Sequence, residues 1–156
     1  MDRQRILLRL INFWPPMLGA GIRVKVLTPD LRAVDVEMKL RSWNANYVGT
    51  HYGGSLYSMA DPFYMVMLMN NLGRGYIVWD KAATIRFRKA GRGKVKAQFR
   101  LTEERIREIA EAAHRQPKYD PVFTVEIKDE AGEVVAEVEK VLYVRKKEAA
   151  AASGGR

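Results

Sequence analysis

Apolar and charged positions alternate along most of this chain. Ile22, Val24 and Val26 alternate with Arg23 and Lys25, and Val34, Val36, Met38 and Leu40 alternate with Asp35, Glu37 and Lys39. Period two over such lengths predicts half-buried strands, here joined by Thr28-Pro29-Asp30. The same period returns in Ala83, Ile85 and Phe87, in Val95, Ala97, Phe99 and Leu101, and in Phe123, Val125 and Ile127. Ala90-Gly91-Arg92-Gly93 and Asp129-Glu130-Ala131-Gly132 predict hairpin turns. A sixth strand is expected from Val134 to Arg145, with a bulge near Glu139-Lys140, where the alternation shifts phase.

Other stretches carry the helical period. Ile6, Leu7, Leu10 and Ile11 form one stripe, which predicts an amphipathic lid helix within residues 1–14, stopped by Pro15-Pro16. Thr102 is placed to cap a helix over 102–115, with Glu103 and Glu104 in its first turn and Ile106, Ile109, Ala110 and Ala113 on one face. The segment from Gly53 to Leu72 has almost no polar face, because Leu56, Tyr57, Met59 and the run Phe63 to Met69 surround it. A helix apolar all round must be buried all round. Six one-faced strands and one such helix are best satisfied by an α+β hotdog fold, an antiparallel sheet wrapped around a long central helix. A cone-shaped sheet on several helices, as in nuclear-transport-factor-like folds, ranks second, since only one long apolar helix is available. Residues 1–146 read as a single domain, and 147–156, rich in Ala, Ser and Gly, as a disordered tail.

Composition narrows the chemistry. The 156 residues, 47% of them hydrophobic, suffice for one core, and the chain has no cysteine, which removes disulfides, zinc-thiolate sites and thiol nucleophiles. A cytoplasmic location follows as the expectation, with no targeting segment and no membrane span. Two histidines at unsuitable spacing offer no metal cluster, so no metal or other cofactor is expected. The net charge of +9 suits nucleic acid, an anionic membrane or a polyanion such as coenzyme A, although most of the cations alternate with apolar residues and read as solvated strand faces.

One segment carries a motif. Asn46, Gly49, Gly53, Gly54 and Asp61 stand in register within Asn46-Tyr47-Val48-Gly49-Thr50-His51-Tyr52-Gly53-Gly54-Ser55-Leu56-Tyr57-Ser58-Met59-Ala60-Asp61. The segment resembles the signature of hotdog acyl-CoA thioesterases of the phenylacetate-pathway type, and Thr84-Ile85-Arg86-Phe87 looks like that family's third-strand motif. Two departures, Tyr52 in the histidine position with His51 displaced by one, and the inserted helix at 102–115, resemble a hotdog subgroup known as a domain of unknown function. The resemblance implies acyl-CoA thioester hydrolysis at the interface of a homodimer or of a tetramer of dimers. It also implies that Asn46 helps to position the attacking water.

Elementary chemistry points the same way. Glycines opening a helix leave backbone N–H groups free for a developing oxyanion, a role that falls to Gly54 with Gly53 assisting. Asp61 is the candidate base or nucleophile, in an apolar setting, if the helix kinks at Pro62 and frees the carboxylate. The other reading makes Asp61-Pro62 an N-cap with proline at the first helical position. Tyr52, Tyr57 and Tyr64 are candidates to line the acyl slot, with Thr84 beside it. The basic hairpin, Arg86, Arg88, Lys89, Arg92 and Lys94, could receive the phosphates of coenzyme A or simply be a solvated turn. A non-catalytic acyl-CoA or fatty-acid binding protein is the second functional class. Nucleic acid or anionic lipid comes third, without a clustered aromatic and basic motif to support it.

Overall fold

The period-two runs become strands, and their apolar faces turn to one side. The computed structural model describes Ile6 and residues 10–148. Strands β1 (Ile22–Val26), β2 (Ala33–Lys39), β3 (Tyr76–Phe87), β4 (Lys94–Arg100), β5 (Val122–Asp129) and β6 (Val134–Lys146) form one antiparallel sheet in the order β1-β2-β4-β5-β6-β3. Val34, Val36, Met38, Val95, Ala97, Phe99, Phe123, Val125 and Ile127 all point inward and are buried. Against them pack helices α2 (Gly53–Ser58) and α3 (Phe63–Leu72), which lie between β2 and β3 in sequence. The Tyr64 ring stacks on Phe123 at 4.4 Å between centroids and meets Phe99 edge-on at 5.2 Å. This is the hotdog arrangement, and no helix among the described residues is long and apolar enough to cross a membrane.

Three expectations change. The central helix is two helices separated by a turn over 59–62, because Pro62 has no N–H to offer the preceding turn and its ring obstructs that turn. It is also not buried all round: α3 buries Phe63, Tyr64, Met67 and Leu68, while Met69 stays exposed. The third change concerns β6. Its alternation runs unbroken from Ala136 to Val144, with Val138, Lys140, Leu142 and Val144 inward. The apparent phase shift is a lysine occupying a core position. The bulges lie elsewhere, at Val135 against β5 and at Lys81 of β3 against β6.

Strand β3 is the longest edge of the sheet and the least covered. It begins at Tyr76 rather than near Ala83, since the Lys81 bulge hides the alternation of its first half. Trp79 and Phe87 are 65% and 56% exposed, and the edge facing away from β6 pairs with no described strand.

Of the expected N-terminal helix, residues 1–5 and 7–9 lie outside the described residues, as do 149–156 of the tail. Ile11–Phe13 is a single 3-10 turn, and Pro15–Ala20 forms a short helix, α1, with the proline pair in its first turn, where a missing N–H costs nothing. Asn12 clamps this segment to the other sheet edge, donating to the Val24 carbonyl at 2.9 Å and accepting from the Val24 N–H at 2.7 Å. Helix α4 (Glu103–Arg115) forms as expected, with the Thr102 hydroxyl accepting from the Arg105 N–H at 3.2 Å and Ile106, Ile109 and Ala113 buried.

Candidate functional site

The break between α2 and α3 decides what Asp61 does. Helix α3 is preceded by Pro62 and receives no side-chain cap, so Asp61 is not an N-cap. Its Oδ1 instead accepts from the Tyr57 hydroxyl at 2.8 Å and from the Lys140 ammonium at 3.0 Å, and its side chain is 49% exposed. The apolar setting expected for it is therefore replaced by a charged one that is half open to solvent. Lys140 itself is buried, and its second partner is Asp80 of β3, whose Oδ1 lies 2.8 Å away. Ala83, paired with Lys140 across the strands, leaves room for the long side chain.

Burial alone would push the Lys140 ammonium down, but Asp80 and Asp61 outweigh it and hold the group above the ordinary lysine value, so it is charged. The Tyr57 hydroxyl is pushed up by burial and by its bond to Asp61, against a smaller opposing pull from Lys140, so it remains a donor. Two carboxylates, one ammonium and one phenol thus meet where the helices part. Lys140 and Asp80 were missed from the sequence, although the disturbed alternation at Glu139-Lys140 was their trace.

The glycines open α2 as expected, and each lies under an aromatic ring. A β-carbon on Gly53 would come within 2.9 Å of Phe87, and one on Gly54 within 2.6 Å of Tyr52. Tyr52 precedes the helix without capping it, and Gly54 is exposed beside a groove of about 440 Å³ lined by Ala20, Trp43, Asn44, Tyr52, Gly54 and Ser58, among others. Asn46 is a correction. Its amide nitrogen donates to the Thr50 hydroxyl at 2.8 Å and the His51 carbonyl at 3.4 Å, and its oxygen accepts from the N–H groups of Val48 and Thr50 at 3.1 and 2.9 Å. The four bonds exhaust an amide, so Asn46 folds its own loop and has nothing left to hold a water.

His51 ties that loop to the β3–β4 connection, which is not the hairpin expected at Ala90-Gly91-Arg92-Gly93, because β5 and β6 lie between those two strands in the sheet. It is buried, and because a carbonyl only accepts, its Nε2–H donates to the Gly93 carbonyl at 2.9 Å. Nδ1 is left without a partner among the described residues. Burial lowers the pKa of His51, partly offset by the Gly93 bond, and keeps the ring neutral. It is a structural pin rather than a substitute for a histidine at position 52.

A family model described as "Domain of unknown function (DUF4442)" matches residues 3–144. The chain belongs to the DUF4442 family. Its fold superposes on a protein of unknown function from Pseudomonas aeruginosa, described as a probable thioesterase, with a TM-score of 0.81 at 26% identity over 94% of this chain and 97% of that one. A thioesterase from Haemophilus influenzae matches with a TM-score of 0.65 at 14% identity, over 94% of this chain and 92% of that one. The Escherichia coli PaaI protein from the phenylacetic acid degradation operon matches at 0.61 and 17%, over 93% and 94%. The last two share the fold alone. No curated protein matches this DUF4442 chain.

Other sequence candidates in this DUF4442 chain lie away from the Asp61 cluster. Tyr64 is a buried core residue packed between Phe99 and Phe123. Thr84 faces outward, because it pairs with Glu139 while its neighbours Ile85 and Phe87 pair with the inward Val138 and Ala136. In the basic stretch from Arg86 to Lys94 the cations are largely spent. Lys89 is held by Asp129 at 2.7 Å and by Glu133, while Arg86 and Arg88 share Glu137 at 3.7 and 3.5 Å. Lys94 reaches Glu37 at 3.9 Å, which leaves Arg92 as the one cation of this stretch without an ion pair among the described residues.

Proposed function

We propose that this protein hydrolyses acyl-coenzyme A thioesters in the cytoplasm, at sites shared between two copies of the chain. The observation that carries the reading is Asp61, a carboxylate that caps no helix, is anchored through one oxygen and reaches solvent beside the opened helix. Water adds to the thioester carbonyl as its proton passes to Asp61, and the Gly54 N–H, assisted by Gly53, holds the oxyanion. The C–S bond then breaks and the thiolate leaves with that proton. In the related covalent course Asp61 attacks the carbonyl itself, the C–S bond breaks as the thiolate leaves, and water then hydrolyses the resulting anhydride to free the acid and restore the Asp61 carboxylate. The overall charge of +9 favours a polyanionic carrier, with Arg92 the cation of the β3–β4 connection best placed to meet a phosphate.

Geometry favours two copies. Gly54 opens α2 and Asp61 lies in the turn beyond its last residue, Ser58, so the two stand at opposite ends of that helix rather than about one carbonyl group. A second chain laid antiparallel would bring Gly54 of one copy to Asp61 of the other. The long uncovered edge of β3 and the exposed side of α3 supply surfaces for such a pair.

Complementation tests this arrangement. Asp61→Asn and Gly54→Pro, which deletes the N–H and sets a ring carbon against Tyr52, are each expected to be inactive. Unfolded and refolded together at equal amounts, they should recover roughly a quarter of wild-type thiol release, since half the dimers are mixed and each mixed dimer holds one intact site. No recovery, with mixed dimers demonstrated, contradicts the shared site. A second reading, a non-catalytic acyl-CoA binding protein, is favoured by the Tyr52 ring over Gly54 and by the saturated amide of Asn46. It predicts acyl-CoA binding without turnover.

A further inference from the structure

Every other inward position of β6 from Ala136 to Val144 holds alanine, valine or leucine; Lys140 alone is charged and is 1% exposed. A buried ammonium carries a desolvation cost that an apolar residue of similar volume avoids, so such a pair is seldom retained for stability alone. Its two acids come from different elements, Asp61 from the turn between α2 and α3 and Asp80 from the edge strand β3. Lys140 and Tyr57 both bond Oδ1 of Asp61, and Oδ2 takes no hydrogen bond among the described residues. A carboxylate pinned by one oxygen presents the other in a fixed direction.

We infer that Lys140, steadied by Asp80, is a positioning residue that, with Tyr57, anchors Oδ1 of Asp61 so that Oδ2 meets the attacking water or the thioester carbonyl. This inference rests on the thioester-hydrolase reading above. It assigns work to two residues, Lys140 and Asp80, that the motif does not contain. Because Asp61 and Asp80 keep side-chain exposures of 49% and 29%, removing the ammonium strands no carboxylate out of reach of water, and Lys140→Met should fold.

The test is steady-state kinetics and thermal melting of wild type, Lys140→Met, Lys140→Arg, Asp80→Asn and Asp61→Asn, with an acyl-CoA as substrate. Lys140→Met is expected to lose kcat on the order of tenfold to a hundredfold with KM little changed, the cost of a misplaced reacting group, while its melting temperature holds or rises. Lys140→Arg, which keeps the charge and donors, recovers part of kcat. Asp80→Asn, which leaves the bond to Asp61 intact, shows a smaller loss of kcat. Wild-type kcat in Lys140→Met beside a dead Asp61→Asn overturns the positioning role alone. So does a Lys140→Met loss that tracks a lowered melting temperature and is not relieved by arginine. Absence of thiol release by the wild type, or full activity of Asp61→Asn, removes the hydrolase reading and the inference together.

Discussion

Two charged regions of this molecule behave in opposite ways. The stretch from Arg86 to Lys94, which connects β3 to β4, carries five cations, and four of them are exposed side chains that meet acids on neighbouring strands, where water weakens each pair. The junction of α2 and α3 holds only one cation, Lys140, yet it is buried and shared by two carboxylates, one of which opens to solvent. The larger cluster is conspicuous in the sequence and largely neutralised in the fold. The smaller one is where a single charge fixes the direction of a reactive group.

Matched charge reversal should separate the two regions most sharply. Lys140→Glu would bury one carboxylate against two others, and a loss of about 3–5 kcal/mol of stability is expected by chemical denaturation. Lys89→Glu also sets three acids side by side, against Asp129 and Glu133, but at an exposed position, so a far smaller loss is expected. Equal losses would mean that the two clusters do not differ as described.

Between the regions lies His51, which sharpens the contrast through pH. Burial holds its pKa below the ordinary 6.5, so below that value the unfolded chain binds a proton that the folded one refuses. The stability His51 contributes is therefore complete above pH 6.5 and declines as pH falls towards its folded value. Melting curves across that range should show this acid-side decline flattened in His51→Gln.

Smaller effects follow at single bonds. Tyr57→Phe removes one of the two anchors on Asp61 Oδ1, worth about 0.5–1.5 kcal/mol, so kcat should fall about twofold to tenfold with little change in melting temperature. In the β3–β4 connection, Arg92→Ala should raise KM for an acyl-CoA modestly, more so at low salt, whereas Lys89→Ala should barely move it.

How much of this was legible in the sequence depended on whether a position obeyed its neighbours. Thr102 and the apolar face of α4 follow ordinary helix rules, and the runs of β2, β4 and β5 alternate without exception, so their register could be read directly. Strand β3 could not, because an edge strand exposed on both faces and bulged at Lys81 has little pattern to betray it. Asp61-Pro62 supports a cap and a kink equally well in one dimension, and only the bonds to Tyr57 and Lys140 separate them. Lys140 broke the apolar alternation and so suggested an irregular backbone, when the backbone was regular and the side chain was the exception. Asn46 shows the converse, a residue in motif register whose hydrogen bonds all stay within its own loop.

The central claim is that the carboxylate at the helix break performs chemistry on a thioester. Thiol release from a panel of acyl-CoAs differing in chain length and aromaticity, wild type beside Asp61→Asn, tests it most directly. Turnover of at least one substrate is predicted, reduced on the order of 10²- to 10⁴-fold in the variant with the melting temperature retained. Binding of acyl-CoA without release by the wild type, or equal release by both proteins, would contradict it.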